Sequence, residues 1–424
     1  MITSARTPVE INCEQLSRAL DLQIALLAQF LGQRFPHGFA PFHTPARHMP
    51  ARNIGMTHQK HPAISVKRCS ANAQCHAARE SKPDVNEPGN QARAPIPHFG
   101  RAQLFALISL RGVARTGIAH IMFRLAHISD IHLGPLPRLS MLELASKRIT
   151  GYVNWQRNRR KHLFGSTLDH VLTGLRVAAP DHVAITGDMV NLATRTEIEA
   201  ARLWLETHFD PDRTSLVPGN HDAYVPGALE RSTKAWHPWL DSDPGEDIAT
   251  MFPSYRVTGP VALIGLSSAN ASLPFLATGD FGHKQARAAG SLLDRAKQDG
   301  LFRVVMIHHP PVKGAAKWHK RLRGISRFAK MLKRHGAELV IHGHTHLNTL
   351  YHLKGLDGEV PVVGIASASQ GPGSHKPSAG FNLFDIDGEP GNWQLVHHRT
   401  QMIGQGPGFE NVQTSLIGKP ETLS

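Results

Sequence analysis

From residue 122 onward the chain repeats one pattern. A short apolar run ends in polar residues, and a longer stretch follows with apolar positions three and four apart. The runs lie at 123–129 (FRLAHIS), 182–186, 214–217, 261–266, 302–307, 338–341 and 361–365. Short runs with few polar interruptions predict strands buried on both faces. The longer stretches at 166–178, 194–209, 282–298 and 320–334 predict helices. Strand and helix alternate, so an α/β fold around a largely buried sheet is expected. Residues 380–386 and 393–398 read as strands with no helix between them, which predicts an antiparallel edge. No internal repeat is visible.

Residues 1–121 carry a different pattern. Leu16, Leu20, Ile24 and Leu27 fit one amphipathic helix over 10–31. Residues 34–100 are rich in Pro, His, Arg, Ala and Asn without a sustained period, and bury too little apolar surface to offset chain entropy. Arg111 and Arg115 interrupt the apolar pieces that follow. The expected division is a disordered or non-native leader at 1–121, a folded domain at 122–404 and a C-terminal tail at 405–424. Met122, directly before the first strand, is a natural start.

Composition sharpens this division. All 6 Trp and all 4 Tyr lie beyond residue 121, and Cys13, Cys69 and Cys75 lie before it. The leader holds 14 Lys/Arg against 6 Asp/Glu, the remainder 33 against 27, so the whole-chain +14 overstates the basicity of the folded part. No nucleic-acid partner is therefore expected. Three cysteines without a CxxC pair make neither a disulfide framework nor a cysteine metal site. No apolar stretch approaches about 18 residues, and 24–31 lacks the flanks of a secretory signal, so a cytoplasmic location is expected.

Candidate chemistry gathers where strands end. The first ends Ser129-Asp130-Ile131-His132, the second Gly187-Asp188 and the third Gly219-Asn220-His221-Asp222. Later strands end His308-His309-Pro310-Pro311 and His342-Gly343-His344-Thr345-His346. In open α/β sheets, ligands bind outside the carboxyl ends of strands. Carboxylate, amide oxygen and imidazole together suit borderline divalent metals such as Mn, Fe, Co, Ni or Zn. Asp130 and His132 are two apart, as are His344 and His346, and in extended backbone such pairs share a side. Gly187 and Gly343 permit close backbone approach beside them.

These motifs, D-I-H, G-D, G-N-H-D, H-H-P-P and G-H-T-H, resemble the calcineurin-like metallophosphoesterase superfamily over roughly 122–400. In motif style the chain is similar to the bacterial branch that includes class III cyclic-nucleotide phosphodiesterases. The resemblance implies a four-layer α/β/β/α sandwich of two mixed sheets and a centre of two divalent metal ions. Asp130, His132 and His346 would hold one ion, Asn220, His308 and His344 the other, and Asp188 both. His308 is preferred to His309 because the family's ligand is followed by one residue and then Pro. His221 would sit by the substrate, stabilising phosphoryl oxygens or protonating the leaving alkoxide. Two cations about 3.5–4 Å apart would lower the pKa of a bridging water, giving a hydroxide that attacks phosphorus in line. The implied activity is hydrolysis of a small phosphorylated substrate, a phosphodiester such as a cyclic nucleotide. The alternatives are a pyrophosphatase of nucleotide-linked lipid or sugar and a non-catalytic phosphate-binding module.

Asp222 either orients a histidine or caps a loop. The stretch at 148–164 is basic, with Tyr152, Trp155 and Phe164 interleaved. It reads as a solvated helix with aromatics packed inward, as a lid, or as peripheral contact with membrane or nucleic acid. Residues 223–258 lack periodicity and are expected as a loop rimming the site, with Trp236 and Trp239 either stacking on a base or sugar or packing on the sheet. The lone His283, His319, His335 and His375 are expected to be structural. His397 and His398 have no evident partner.

Overall fold

The computed structural model describes residues 122–157, 165–243, 251–404 and 408–417. The expectations for residues 1–121, including the helix over 10–31, fall outside the described residues, as do those for 158–164. The first half runs β1 (Phe123–Ile128), α1 (Met141–Leu144), α2 (Arg148–Arg157), α3 (Gly165–Ala178), β2 (His182–Ile185), α4 (Arg195–His208) and β3 (Thr214–Leu216). Next come α5 (Ala228–Ala235), α6 (His237–Leu240), β4 (Ser254–Thr258), β5 (Val261–Leu266) and β6 (Gly279–Asp280). The second half runs α7 (His283–Gln298), β7 (Phe302–Ile307), β8 (Leu322–Arg323), α8 (Ile325–His335), β9 (Leu339–His342), β10 (Thr349–Lys354) and β11 (Glu359–Gly364). It closes with β12 (Gly380–Glu389), β13 (Asn392–Met402) and β14 (Phe409–Leu416).

Two mixed six-stranded sheets form among the described residues, in the orders β14-β13-β12-β1-β2-β3 and β10-β11-β9-β7-β5-β4. In the first, β1, β2 and β3 are parallel, and β12 joins β1 antiparallel. In the second, β5, β7, β9 and β11 are parallel between antiparallel β4 and β10.

The strand period of two explains the layers. Phe123 and Leu125 of β1 pack with Leu263, Val304, Met306 and Ile341 of the second sheet, forming the core between sheets. Ala126 and Ile128, one residue out of phase, pack on α3 and α4 through Leu172 and Leu205. Val305 and Ile307 turn likewise to α7 and α8, against Leu293 and Phe328. Strands apolar on both faces are why the sequence reads as runs rather than alternation. The result is the expected α/β/β/α sandwich. Burying each of the larger of these side chains contributes roughly 1.5–3 kcal/mol.

Two expectations are corrected and one open alternative is decided. Residues 223–258 are not a bare loop, because α5, α6 and β4 lie within them. Trp236 and Trp239 are buried in the helix-side core, and their Nε1–H groups donate to the carbonyls of Ile198 and Phe209. They belong to packing and not to stacking on a substrate. Within the expected tail, β14 pairs along β13 and extends the first sheet. No helix of the described residues is long and apolar enough to cross a membrane.

Candidate metal centre

The polar strand ends meet at one edge of the two sheets. His132 Nε2 lies 3.9 Å from Asp130 Oδ1 and 3.3 Å from His346 Nε2, and His346 Nε2 lies 3.0 Å from Asp130 Oδ1. On the other side, His308 Nε2 lies 3.3 Å from Asn220 Oδ1, with the His344 ring 5.1 Å from its own. Asp188 stands between the groups: its Oδ2 is 3.8 Å from His132 Nε2 and 3.4 Å from His308 Nε2. Asp130, His132, Asp188, Asn220, His308 and His346 are all buried.

The backbone sets this convergence. The amides of Asp130, His132 and Leu133 donate to the carbonyls of Gly187, Asp188 and Met189, which knits the first loop to the second. The His344 amide donates to Asp130 Oδ2 and the His221 amide to Asp188 Oδ1. Gly343 is required here, since a Cβ would lie 1.9 Å from Ser129 Oγ and 2.5 Å from Asp130 Oδ2. At Gly187 a Cβ would meet Gly219 N at 2.5 Å.

Backbone carbonyls orient the imidazoles. Nδ1 of His132 bonds Val190 O at 3.2 Å, Nδ1 of His308 bonds Thr186 O at 2.7 Å, and Nε2 of His344 bonds Lys320 O at 2.9 Å. Each such ring nitrogen carries a proton, because a carbonyl only accepts, so the opposite nitrogen is the one that can present a lone pair. Lone pairs, carboxylate oxygens and an amide oxygen thus face one another. Asp130 Oδ1 is buried with no hydrogen bond of proper geometry. Acceptors aimed at acceptors suit a cation, and this N/O set without sulfur fits borderline divalent metals.

The family model of calcineurin-like phosphoesterases matches residues 123–348, more than half of the chain. The chain belongs to the calcineurin-like phosphoesterase family. As a calcineurin-like phosphoesterase it is a metal-dependent hydrolase of phosphate esters. The chain is similar to solved structures that include a dimetal phosphatase from Danio rerio, with 14% identity over 70% of this chain and 98% of that one and a TM-score of 0.47. A second is the NAD nucleotidase of Haemophilus influenzae, with 13% identity over 69% and 54% and a TM-score of 0.39. A third is a 5'-nucleotidase precursor from Thermus thermophilus, with 16% identity over 65% and 54% and a TM-score of 0.38. The chain spans about half the length of the two nucleotidases. No curated protein sequence matches it.

Electrostatics in this candidate centre follow from burial and from the charges around it. Burial opposes ionisation of Asp130 and Asp188, yet the surrounding histidines outweigh it and hold both carboxyls below their usual range. Burial likewise opposes charge on His308, but Asp188 and Asp130 overcome it and push the ring up to about 9. A divalent cation would displace that proton. His309, buried and beside His308, is pushed down to about 3. Its Nδ1 meets Ser268 Oγ at 2.8 Å and its Nε2 meets Ala277 O at 3.2 Å, so it holds the loop after β5.

His221 is half-buried, with its Nδ1 on Asn191 O and its ring 4.9 Å from that of His132. Tyr224 stacks on it at 5.3 Å and 18°, and the Lys147 ammonium lies 4.7 Å from the Tyr224 ring. Asp222 does not orient a histidine. Its carboxylate accepts the amides of Gly219, Asp188, Met189 and Val190, so it caps the loops that carry Asp188 and Asn220. Burial and the Asp188 charge push its carboxyl up to about 7. Asn191, whose carbonyl takes the place foreseen for Asp222, had no signal in the sequence. Glu197, whose carboxylate accepts the Asn191 and Leu192 amides within a capping box with Thr194, did have a signal. The T-x-x-E spacing of that box was the available clue.

In the described part of 148–164, Arg148 donates to the carbonyls of Leu192 and Ala193, and Tyr152 packs on the helix-side core. For Tyr152 this agrees with the packed-helix reading, and Phe164 lies outside the described residues. Three of the remaining histidines have partners. His335 pairs with Asp294, His397 with Asn382, and His398 with Asp385 and Thr414.

Proposed function

We propose that the protein hydrolyses phosphodiesters at a centre of two divalent ions, with Asp130, His132 and His346 holding one, Asn220, His308 and His344 the other, and Asp188 both. The supporting observation is the position of Asp188 Oδ2 between His132 Nε2 and His308 Nε2. When bound, such ions supply positive charge to the phosphoryl oxygens and acidify water for attack.

The protein's own groups do the rest. With Nδ1 fixed on the Asn191 carbonyl, His221 holds its exchangeable proton at Nε2 and releases it to the leaving alkoxide. Tyr224 fixes the plane of that ring by stacking. The Asp222 cap keeps the Asp188 and Asn220 loops in register. An alkyl ester needs this arrangement, because its leaving alkoxide is poor without a proton.

The test is an assay of the full chain loaded with manganese, against bis-nitrophenyl phosphate, nitrophenyl phosphate and 2′,3′- and 3′,5′-cyclic nucleotides. Diester turnover above monoester turnover, abolished by EDTA, is expected. Asp188→Ala should lose both turnover and most bound metal. Faster monoester hydrolysis, or full activity and metal content in Asp188→Ala, would overturn the reading.

A further inference from the structure

Two loops beside the centre expose large apolar side chains that the proposed chemistry does not use. Phe275 is 63% exposed, Trp318 72% and Leu273 43%, and Leu347, next to His346, is 42% exposed. Exposed apolar residues are ordinary when scattered. These are joined. The Ala277 amide donates to His319 O and the Gly279 amide to Arg321 O, so the loop 272–279 pairs with the loop 317–321. Both loops touch the centre, through His309 Nε2 on Ala277 O and His344 Nε2 on Lys320 O.

The display is built rather than loose. Lys147 Nζ donates to Ser272 Oγ at 2.8 Å and to Leu276 O at 3.0 Å, and Ser272 Oγ donates to the same carbonyl. The Leu276 amide closes the turn on Leu273 O. At its tip Phe275 has φ of 65°, a left-handed conformation that a bulky side chain adopts only under constraint. Backbone strain that projects an aromatic ring into water has no packing rationale, and strain of this kind concentrates at functional positions.

Charge identifies the occupant. Residues 311–324 carry Lys313, Lys317, Lys320, Arg321 and Arg323 with no acidic residue, and residues 269–279 carry none either. All five cations are exposed. Arg323 faces Asp280 at 3.5 Å. An exposed Trp and Phe among Lys and Arg is the composition that partitions to the headgroup layer of anionic membranes, apolar rings inward and cations on lipid phosphates.

We propose that the paired loops 272–279 and 313–321 dock the metal-centre end of the molecule on an anionic lipid surface, with Phe275 and Trp318 entering the headgroup layer. Docking needs no turnover, so this stands apart from the diesterase reading.

The experiment is flotation of the full chain with vesicles of phosphatidylcholine alone and of phosphatidylcholine mixed with phosphatidylglycerol. Binding to the anionic vesicles is expected. It should fall about tenfold in Phe275→Ser/Trp318→Ser and in Lys317→Glu/Arg321→Glu. It should persist in Leu203→Ser, whose exposed leucine lies on α4. Residues 1–121 are common to every protein compared, so a difference between wild type and variant belongs to the rim. Tryptophan emission gives a second reading that spares the fold: vesicles should shift wild-type emission to the blue, and Trp318→Phe should lose most of that shift. Equal flotation of wild type and the aromatic double variant would overturn the proposal. So would a blue shift that survives in Trp318→Phe. A dimer abolished by the double variant, with no vesicle binding by either protein, would assign the rim to a second copy instead.

Discussion

Asp130, His132, Asp188, His344 and His346 share a backbone conformation that non-glycine residues avoid, with φ between 45° and 68°. Each such residue costs of order 1–3 kcal/mol, so the surrounding hydrogen bonds must hold it. The left-handed step turns each side chain off the line of its strand, and so residues from separate strand ends face one point. His221 is held differently, by Asn191 and Tyr224, and its proposed task is protonation. His221→Ala should keep its bound metal while turnover falls about 10²–10⁴-fold. An ethyl leaving group should suffer more than nitrophenolate, since only the former needs the proton. Equal losses with both esters would remove the proton-donor role.

At the scale of elements, the loops after β1 and β9 interlock without room for one added carbon. Gly343→Ala must displace Ser129 or Asp130. Turnover and metal affinity should both drop at least about tenfold. Gly408→Ala, where a Cβ meets nothing within 4 Å, should match wild type. Metal titration followed by calorimetry checks both. The strands that carry these loops were legible in the sequence because burial on both faces leaves unbroken apolar runs. β14 was not, because its side chains are mostly exposed or half-buried and few are apolar. α5 was hidden for another reason: it is eight residues long and starts after Gly227, with no side-chain cap to mark it. The residue types at the centre were legible from strand ends. Which imidazole nitrogen faces inward was not, because carbonyls of Val190, Thr186 and Lys320, remote in sequence, decide it.

Across the whole molecule, buried titratable groups outside the centre set the response to acid. Burial drives His182 and His397 down to about 3, so both stay neutral in the fold. An unfolded imidazole takes its proton near pH 6.5. Stability should therefore decline as pH falls from about 6.5 toward about 3, by about 1.4 kcal/mol per pH unit for each proton. Asp385 works in a lower window. Burial opposes its charge, but Arg124 and His398 outweigh this and bring it down to about 2. Its contribution is complete above about pH 4 and is lost as pH falls toward 2. Urea unfolding between pH 7 and 4 should show the first slope, and His182→Gln should flatten it. An unchanged slope in that variant would exclude His182 as a source.

The pairing of β1 with β12 has a further consequence. Phe123 meets Ile386 across the centre of the first sheet. On the ribosome β1 emerges early, yet its antiparallel neighbour is made last but two among the strands. Every residue assigned to metal is already synthesised while β1 still lacks a partner on one side. The nascent chain must therefore shelter an open, apolar strand edge until residues 380–389 arrive. The interval in which this protein is most prone to aggregate is thus built into the order of its strands.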